Sequence, residues 1–110
     1  MARLAAITFT GGSGTGYEFD VYLFDSEFRA VGAVYFVTRR TREAEGEYSH
    51  APVYIGQTGN LPDRFDYHDK ADCFRRERAN CICTHLDDNE QRRLQIESDL
   101  LKKYKPPCND

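Results

Sequence analysis

Four sets of side chains in this 110-residue chain have types and spacings suited to chemistry. Glu97 falls three residues after Leu94 and four before Leu101, on a segment whose apolar residues repeat with helical periodicity. A carboxylate on the inward stripe of a helix is costly unless something satisfies it, because a buried unpaired charge shifts its pKa or destabilises the fold. Glu97 therefore needs an arginine partner, a position just off the buried face, or a role. Arg64 and His68 stand four apart after Asn60 and Pro62, a cap and a first-turn proline, so the spacing predicts that they share one helical face. The run Gly11-Gly12-Ser13-Gly14-Thr15-Gly16 offers a phosphate cradle, but Tyr17 stands where a Walker loop needs lysine, and the dinucleotide glycine spacing is absent. Cys73, Cys81, Cys83 and His85 offer zinc ligands, yet lack the paired C-x-x-C spacing usual in structural zinc sites.

The elements that must position these groups follow from periodicity. Leu4 to Thr10 and Glu18 to Asp25 read as strands, and the glycine run between them suits a mobile hairpin loop. Ala30 to Thr38 is apolar on both faces, with Val31, Ala33, Tyr35 and Val37 on one and Gly32, Val34 and Phe36 on the other, which predicts a central strand. Arg39 to His50 has almost nothing to bury and reads as a solvated loop, followed by a short strand at Val53 to Gly56. A helix starting near Leu61 would carry Arg64, Phe65 and His68, and a second helical piece would cover Asp72 to Arg78. Asn80 to His85 alternates as a further core strand, and a last helix runs from about Asp88 to Tyr104, stopped by Pro106-Pro107, with Leu94, Leu100, Leu101 and Tyr104 inward.

Taken in order, Ala33-Val34-Tyr35, Tyr54-Ile55-Gly56, Asn60-Leu61 with Arg64, Phe65 and His68, Glu97, and Lys105-Pro106-Pro107-Cys108-Asn109 resemble the GIY-YIG nuclease superfamily over about residues 31 to 109. The resemblance implies a small α/β (α+β) domain, residues 1–110, with a three-stranded antiparallel core sheet flanked by helices. Residues 1–30 lie outside the match and are expected to extend the sheet as an N-terminal β-hairpin. It further implies that Tyr35 and Tyr54 lie on adjacent strands at a catalytic surface, that Arg64 and His68 project from the first helix, that Glu97 binds the metal, and that Gly56, Gln57 and Asn109 support the site.

The implied activity is endonucleolytic hydrolysis of a phosphodiester bond with Mg²⁺ or Mn²⁺. Such a reaction needs a nucleophilic water, counter-charge on the phosphoryl oxygens and a proton for the leaving oxygen. Glu97 is a hard oxygen ligand suited to Mg²⁺, which keeps most of its waters, and Arg64 can pair with phosphate through two parallel N–H bonds. A tyrosine acting as general base would need its pKa lowered by about three units, roughly 4 kcal/mol of preferential stabilisation of the phenolate. Many members of the family carry lysine three residues after the second tyrosine; this chain has Gln57, which leaves His68 or a metal-bound hydroxide as alternative bases. Taken singly, each tyrosine is equally an amphipathic ring with its hydroxyl bonded to backbone.

Composition sets limits on partners. A formal charge of −3 does not favour sequence-independent affinity for nucleic acid, since that affinity comes mainly from lysine and arginine displacing counterions. Neither half of the chain is basic, with five basic and seven acidic groups in residues 1–55 and ten and eleven in residues 56–110. Arg39, Arg40, Arg42, Lys70, Arg75, Arg76 and Arg78 could form a local track or a solvated face. The expected substrate is nucleic acid, DNA foremost with RNA open, bound weakly and with help from a partner protein, a homo-oligomer or a distorted substrate. A catalytically silent interaction module on the same fold is the competing reading. No apolar stretch is long enough to span a bilayer and the start lacks a signal-peptide core, so a cytoplasmic location and free thiols are expected.

Overall fold

A computed structural model describes residues 3–66 and 68–109; Met1, Ala2, Tyr67 and Asp110 lie outside the described residues. The strands are β1 (Ala5–Thr10), β2 (Gly16–Leu23), β3 (Ala33–Arg42), β4 (Tyr48–Thr58) and β5 (Cys81–Leu86), and the helices are α1 (Leu61–Asp66), α2 (Ala71–Arg76) and α3 (Glu90–Lys103). All strand pairs are antiparallel, in the order β1-β2-β5-β3-β4. The fold is thus mixed α and β, but its sheet is five-stranded rather than three-stranded. The N-terminal hairpin joins it through β2 against β5, in the register Val21↔Cys83.

β3 is an interior strand, between β5 and β4, because both of its faces are apolar. Val34 and Phe36 enter a cluster with Phe9, Phe19, Val21, Ile55, Cys81 and Leu100, whereas Ala33, Tyr35 and Val37 enter another with Val53, Leu61, Phe74, Ile82 and Cys108. Each cluster lies on one sheet face, as the two-residue repeat of a strand requires. α3 covers the first through Ile96, Leu100, Leu101 and Tyr104; α1 and α2 cover the second through Leu61, Phe65 and Phe74.

Several local expectations are corrected. Arg39 to His50 is mostly strand, since Arg39↔Ala51, Arg40↔His50, Thr41↔Ser49 and Arg42↔Tyr48 extend the β3–β4 ladder. Ladder bonds belong to the backbone, so charged side chains on an exposed end do not prevent pairing. The Asn80 side chain lengthens this region by accepting from Arg40 N (2.6 Å) and donating to Arg40 O (2.9 Å). In the β1–β2 turn Gly14 has a φ of +88°, the left-handed region that glycine enters without cost. That loop is pinned rather than loose: the Asp99 carboxylate accepts from Ser13 N (2.9 Å), Ser13 Oγ (2.7 Å) and Tyr17 OH (2.7 Å). α3 begins one residue later than expected, capped by Asn89, whose side chain accepts from Arg92 N at 2.9 Å. Leu94 is 45% exposed and Arg93 is buried in its place. Among the described residues no helix is long and apolar enough to cross a membrane.

Cys73 and Cys108 form a disulfide across 35 residues, so the free-thiol expectation fails for this pair. That expectation rested on an assumed reducing compartment, and no local spacing pattern joins the two cysteines. Cys81 and Cys83 are free and buried in the core. With Cys73 bonded elsewhere, and no group of three His, Cys, Asp or Glu placed to hold a metal among the described residues, the proposed zinc ligands do not assemble.

β4 is a sheet edge, and an uncovered edge invites pairing with other chains. Here the C-terminal segment covers it. Cys108 N donates to Val53 O (3.0 Å), while the Asn109 amide accepts from Ile55 N (2.8 Å) and donates to Ile55 O (2.7 Å). Asn109→Ala leaves both Ile55 groups without these partners and should cost about 2 kcal/mol. A urea-denaturation midpoint unchanged from wild type would contradict this account of the edge.

Candidate active site

The site is built where β3 meets β4. Tyr35 pairs with Gly56 and Val37 with Tyr54, so the two tyrosines stand on adjacent strands on the α1–α2 face. Their ring centroids are 6.0 Å apart. The register shifts between Val37 and Thr38, leaving Val53 as the extra residue of a bulge beside Tyr54. Space dictates glycine at position 56: a Cβ there would lie 2.7 Å from Tyr35 Oη and 2.8 Å from Tyr54 Cε2. Tyr35 is fully buried and leans over the bare backbone of Gly56.

Arg64, near the end of α1, reaches both phenols. Its Nε–H donates to Tyr35 Oη (3.0 Å) and its Nη2 to Tyr54 Oη (3.3 Å) and, as an ion pair, to Asp69 Oδ1 (3.0 Å). Among the described residues Nη1 has no hydrogen-bond partner, and 28% of the side chain remains exposed. Burial works against the charge of Arg64, but its bonds to Tyr35 and Tyr54 outweigh this and hold its pKa above the ordinary value.

His68 is not on the helix that carries Arg64, because α1 ends at Asp66. The two nevertheless converge on one atom: His68 Nε2 lies 2.9 Å from Tyr35 Oη. Its Nδ1 accepts the Lys70 backbone N–H at 3.1 Å, which assigns the proton of the neutral ring to Nε2 and makes His68 a donor to Tyr35. Aromatic rings enclose the imidazole, with Phe74, Tyr54 and Phe65 centroids at 4.7, 5.0 and 5.6 Å. Burial, aided by the Arg64 charge, pushes its pKa down to about 4. His68 is therefore neutral near pH 7.

Tyr35 moves in the opposite direction from a general base. Burial raises its pKa well above that of a free phenol, and the bond and charge of Arg64 only partly offset this. Two N–H groups converge on its buried oxygen, so the phenol anchors Arg64 and His68 at one atom.

Glu97 does not enter this network by direct contact. It makes no hydrogen bond or ion pair among the described residues, and burial raises its pKa. It is close enough to Tyr35 for its charge to raise the phenol's pKa further. A half-buried carboxylate without a cation fits a divalent ion that takes one protein ligand and keeps its waters. The supporting residues divide: Gly56 lies beneath the phenols and Asn109 clamps Ile55, whereas Gln57 Oε1 accepts from Arg93 Nε (2.9 Å) on the α3 side.

Asp69, Phe74 and Arg93 take part without having been singled out from sequence. For Arg93 a signal existed, because stepping back from Tyr104 through Leu100 and Glu97 at helical spacing lands on it. Of the basic track, Arg75 is paired with Asp72, and Arg40 stacks over Tyr48 at 3.7 Å. Comparisons with family models, curated proteins and solved structures return no match.

The depressed pKa of His68 carries a pH signature. Between its ordinary value of 6.5 and about 4 the unfolded chain binds a proton that the folded chain excludes. Stability from this group is complete above pH 6.5 and is lost as pH falls toward 4, by roughly 3 kcal/mol. The raised pKa of Glu97 acts in the opposite sense, so the comparison needed is wild type against His68→Gln. The difference in unfolding free energy between them should shrink across that window; a constant difference from pH 7 to pH 4 would show that His68 titrates normally.

Proposed function

We propose that the chain is a metal-dependent phosphodiesterase of the GIY-YIG type, an endonuclease acting on nucleic acid, DNA foremost. The observation that carries this reading is a part-exposed guanidinium fixed by Tyr35, Tyr54 and Asp69, together with a half-buried carboxylate, Glu97, that makes no ion pair among the described residues and whose charge reaches Tyr35. Metal-assisted phosphodiester hydrolysis needs both functions, a cation for the phosphoryl oxygens and a ligand for the metal. A fold alone needs neither.

In this proposal Glu97 would hold Mg²⁺ or Mn²⁺, which would supply Lewis acidity when bound. Arg64 neutralises the phosphoryl oxygens. Its orientation is set by Tyr35, Tyr54 and Asp69, so little reorganisation accompanies binding. His68 keeps the Tyr35 oxygen occupied. We assign it positioning rather than base chemistry, because its remaining lone pair is taken by the Lys70 N–H. The formal charge of −3 supports weak intrinsic affinity and help from a partner protein, an oligomer or a distorted substrate.

The silent-module reading makes a different forecast for the same assay. Mg²⁺-dependent cleavage of plasmid, branched and single-stranded DNA should fall by at least about 10²-fold in Glu97→Gln and in Arg64→Ala, corresponding to about 2.7 kcal/mol or more of transition-state stabilisation. Indistinguishable rates for wild type and both variants would remove the nuclease reading and leave an interaction module.

A further inference from the structure

Arg93 is buried, with 5% of its surface exposed, a degree that no other arginine or lysine among the described residues reaches. Its Nε–H donates to Gln57 Oε1 (2.9 Å) and its Nη1 to the Asp87 carbonyl (3.0 Å). Both acceptors are neutral. The Asp87 side chain is not available to it, being held by Arg92 Nε (2.9 Å), Arg92 Nη2 (3.0 Å) and Asn89 N (2.9 Å). Among the described residues no carboxylate forms an ion pair with Arg93. A guanidinium has five N–H donors and cannot lose its charge, so burying one without counter-charge is costly.

The backbone around this cation is kept bare. A Cβ on Gly32 would lie 2.5 Å from Arg93 Nη1, and one on Gly59 would lie 3.5 Å from Nη2. Gly32, Gly59, Arg92 and Arg93 share the lining of a cleft of about 680 Å³. Asp88 also borders it, but its side chain is fully exposed at the rim. Arg93 and Glu97 stand four apart on α3, on one face and one turn from each other.

We propose that this cleft is an anion seat in which Arg93 receives a phosphate group, Gly32 leaving room for the guanidinium and Gly59 for an oxygen beside Nη2. Nothing else among the described residues supplies the charge that Arg93 lacks. A phosphate offers planar, bidentate acceptance to the guanidinium fork. The anion seat stands on its own observations. Its further role, holding a phosphate next to the scissile one on the same strand, rests on the phosphodiesterase reading and follows from the one-turn offset between Arg93 and Glu97.

The test is NMR titration of the full chain with inorganic phosphate at fixed ionic strength, following the Arg93 Nε–H and Gly59 amide signals, with a parallel arm using a short single-stranded oligodeoxynucleotide. A saturable shift of both signals is expected, weakened at least about tenfold in Arg93→Gln and less than about twofold in Arg76→Gln, an exposed cation outside the cleft lining. Should Arg93→Gln fail to fold, Gly59→Ala serves instead, since its methyl would make an ordinary contact with Arg93 at a position without positive φ. It should weaken binding several-fold while leaving the melting temperature near wild type. Saturation at the same residues by either probe supports the seat; tighter oligonucleotide binding names a backbone phosphate, and tighter inorganic phosphate binding names a free one. Shifts centred on Arg39, Arg40 and Arg42, or equal affinity in wild type and in whichever variant folds, would overturn it. Phosphate binding without any cleavage would count against the nuclease reading alone.

Discussion

The Arg64 guanidinium must be partly desolvated against the sheet and kept charged, and the rest of the site follows from how that is done. Two phenolic oxygens and one carboxylate accept its donors, which obliges Tyr35 and Tyr54 to stand on neighbouring strands with hydroxyls a few ångströms apart. That in turn obliges position 56 to lack a side chain. Because Tyr35 Oη already receives Arg64, the second donor on it, His68, must stay neutral, and burial among Tyr54, Phe65 and Phe74 keeps it so. A local 3.0 Å contact thus fixes residue types on β3, β4, α1 and the segment after it.

The C-terminal segment ties this arrangement to the sheet edge. Asn109 occupies both ladder groups of Ile55, whose neighbours in sequence are Tyr54 and Gly56. Cys108 joins the same segment to Cys73, which precedes Phe74, a ring packed on His68. The edge that would otherwise be free to pair with another chain instead becomes part of the support for the tyrosines. Asn80 performs the same substitution of side-chain amide for strand backbone on Arg40, at the other end of the β3 ladder.

What sequence could reveal followed what sequence patterns measure. Side-chain alternation placed β3 inside the sheet, because a strand apolar on both faces cannot stand at an exposed edge without cost, though β5 is the middle strand, and it placed Tyr35 and Val37 on one side. It could not show the outer ladder from Arg39 to Arg42, where pairing depends on backbone bonds and the side chains are mostly charged. The convergence of Arg64 with His68 was legible, though for the wrong reason: they meet at Tyr35, not on one helical face. Counting Leu94 inward hid Arg93, since α3 turns its polar Arg93 and Glu97 toward the sheet side and exposes the leucine. The Cys73–Cys108 pair had no local signature, because only the tertiary fold brings together residues 35 apart.

The central claim is that Glu97 and the Arg64–Tyr35 junction form one metal-dependent centre. Direct evidence comes from titrating the protein with Mn²⁺ and mapping paramagnetic broadening of its NMR signals. Broadening centred on the Glu97 side chain and extending to Arg64 Nε–H and the Tyr35 ring is expected, displaced competitively by Mg²⁺. Broadening confined to exposed acidic segments such as Glu43 to Glu47 or Asp87 to Asp88, with Glu97 and Arg64 untouched, would contradict the claim.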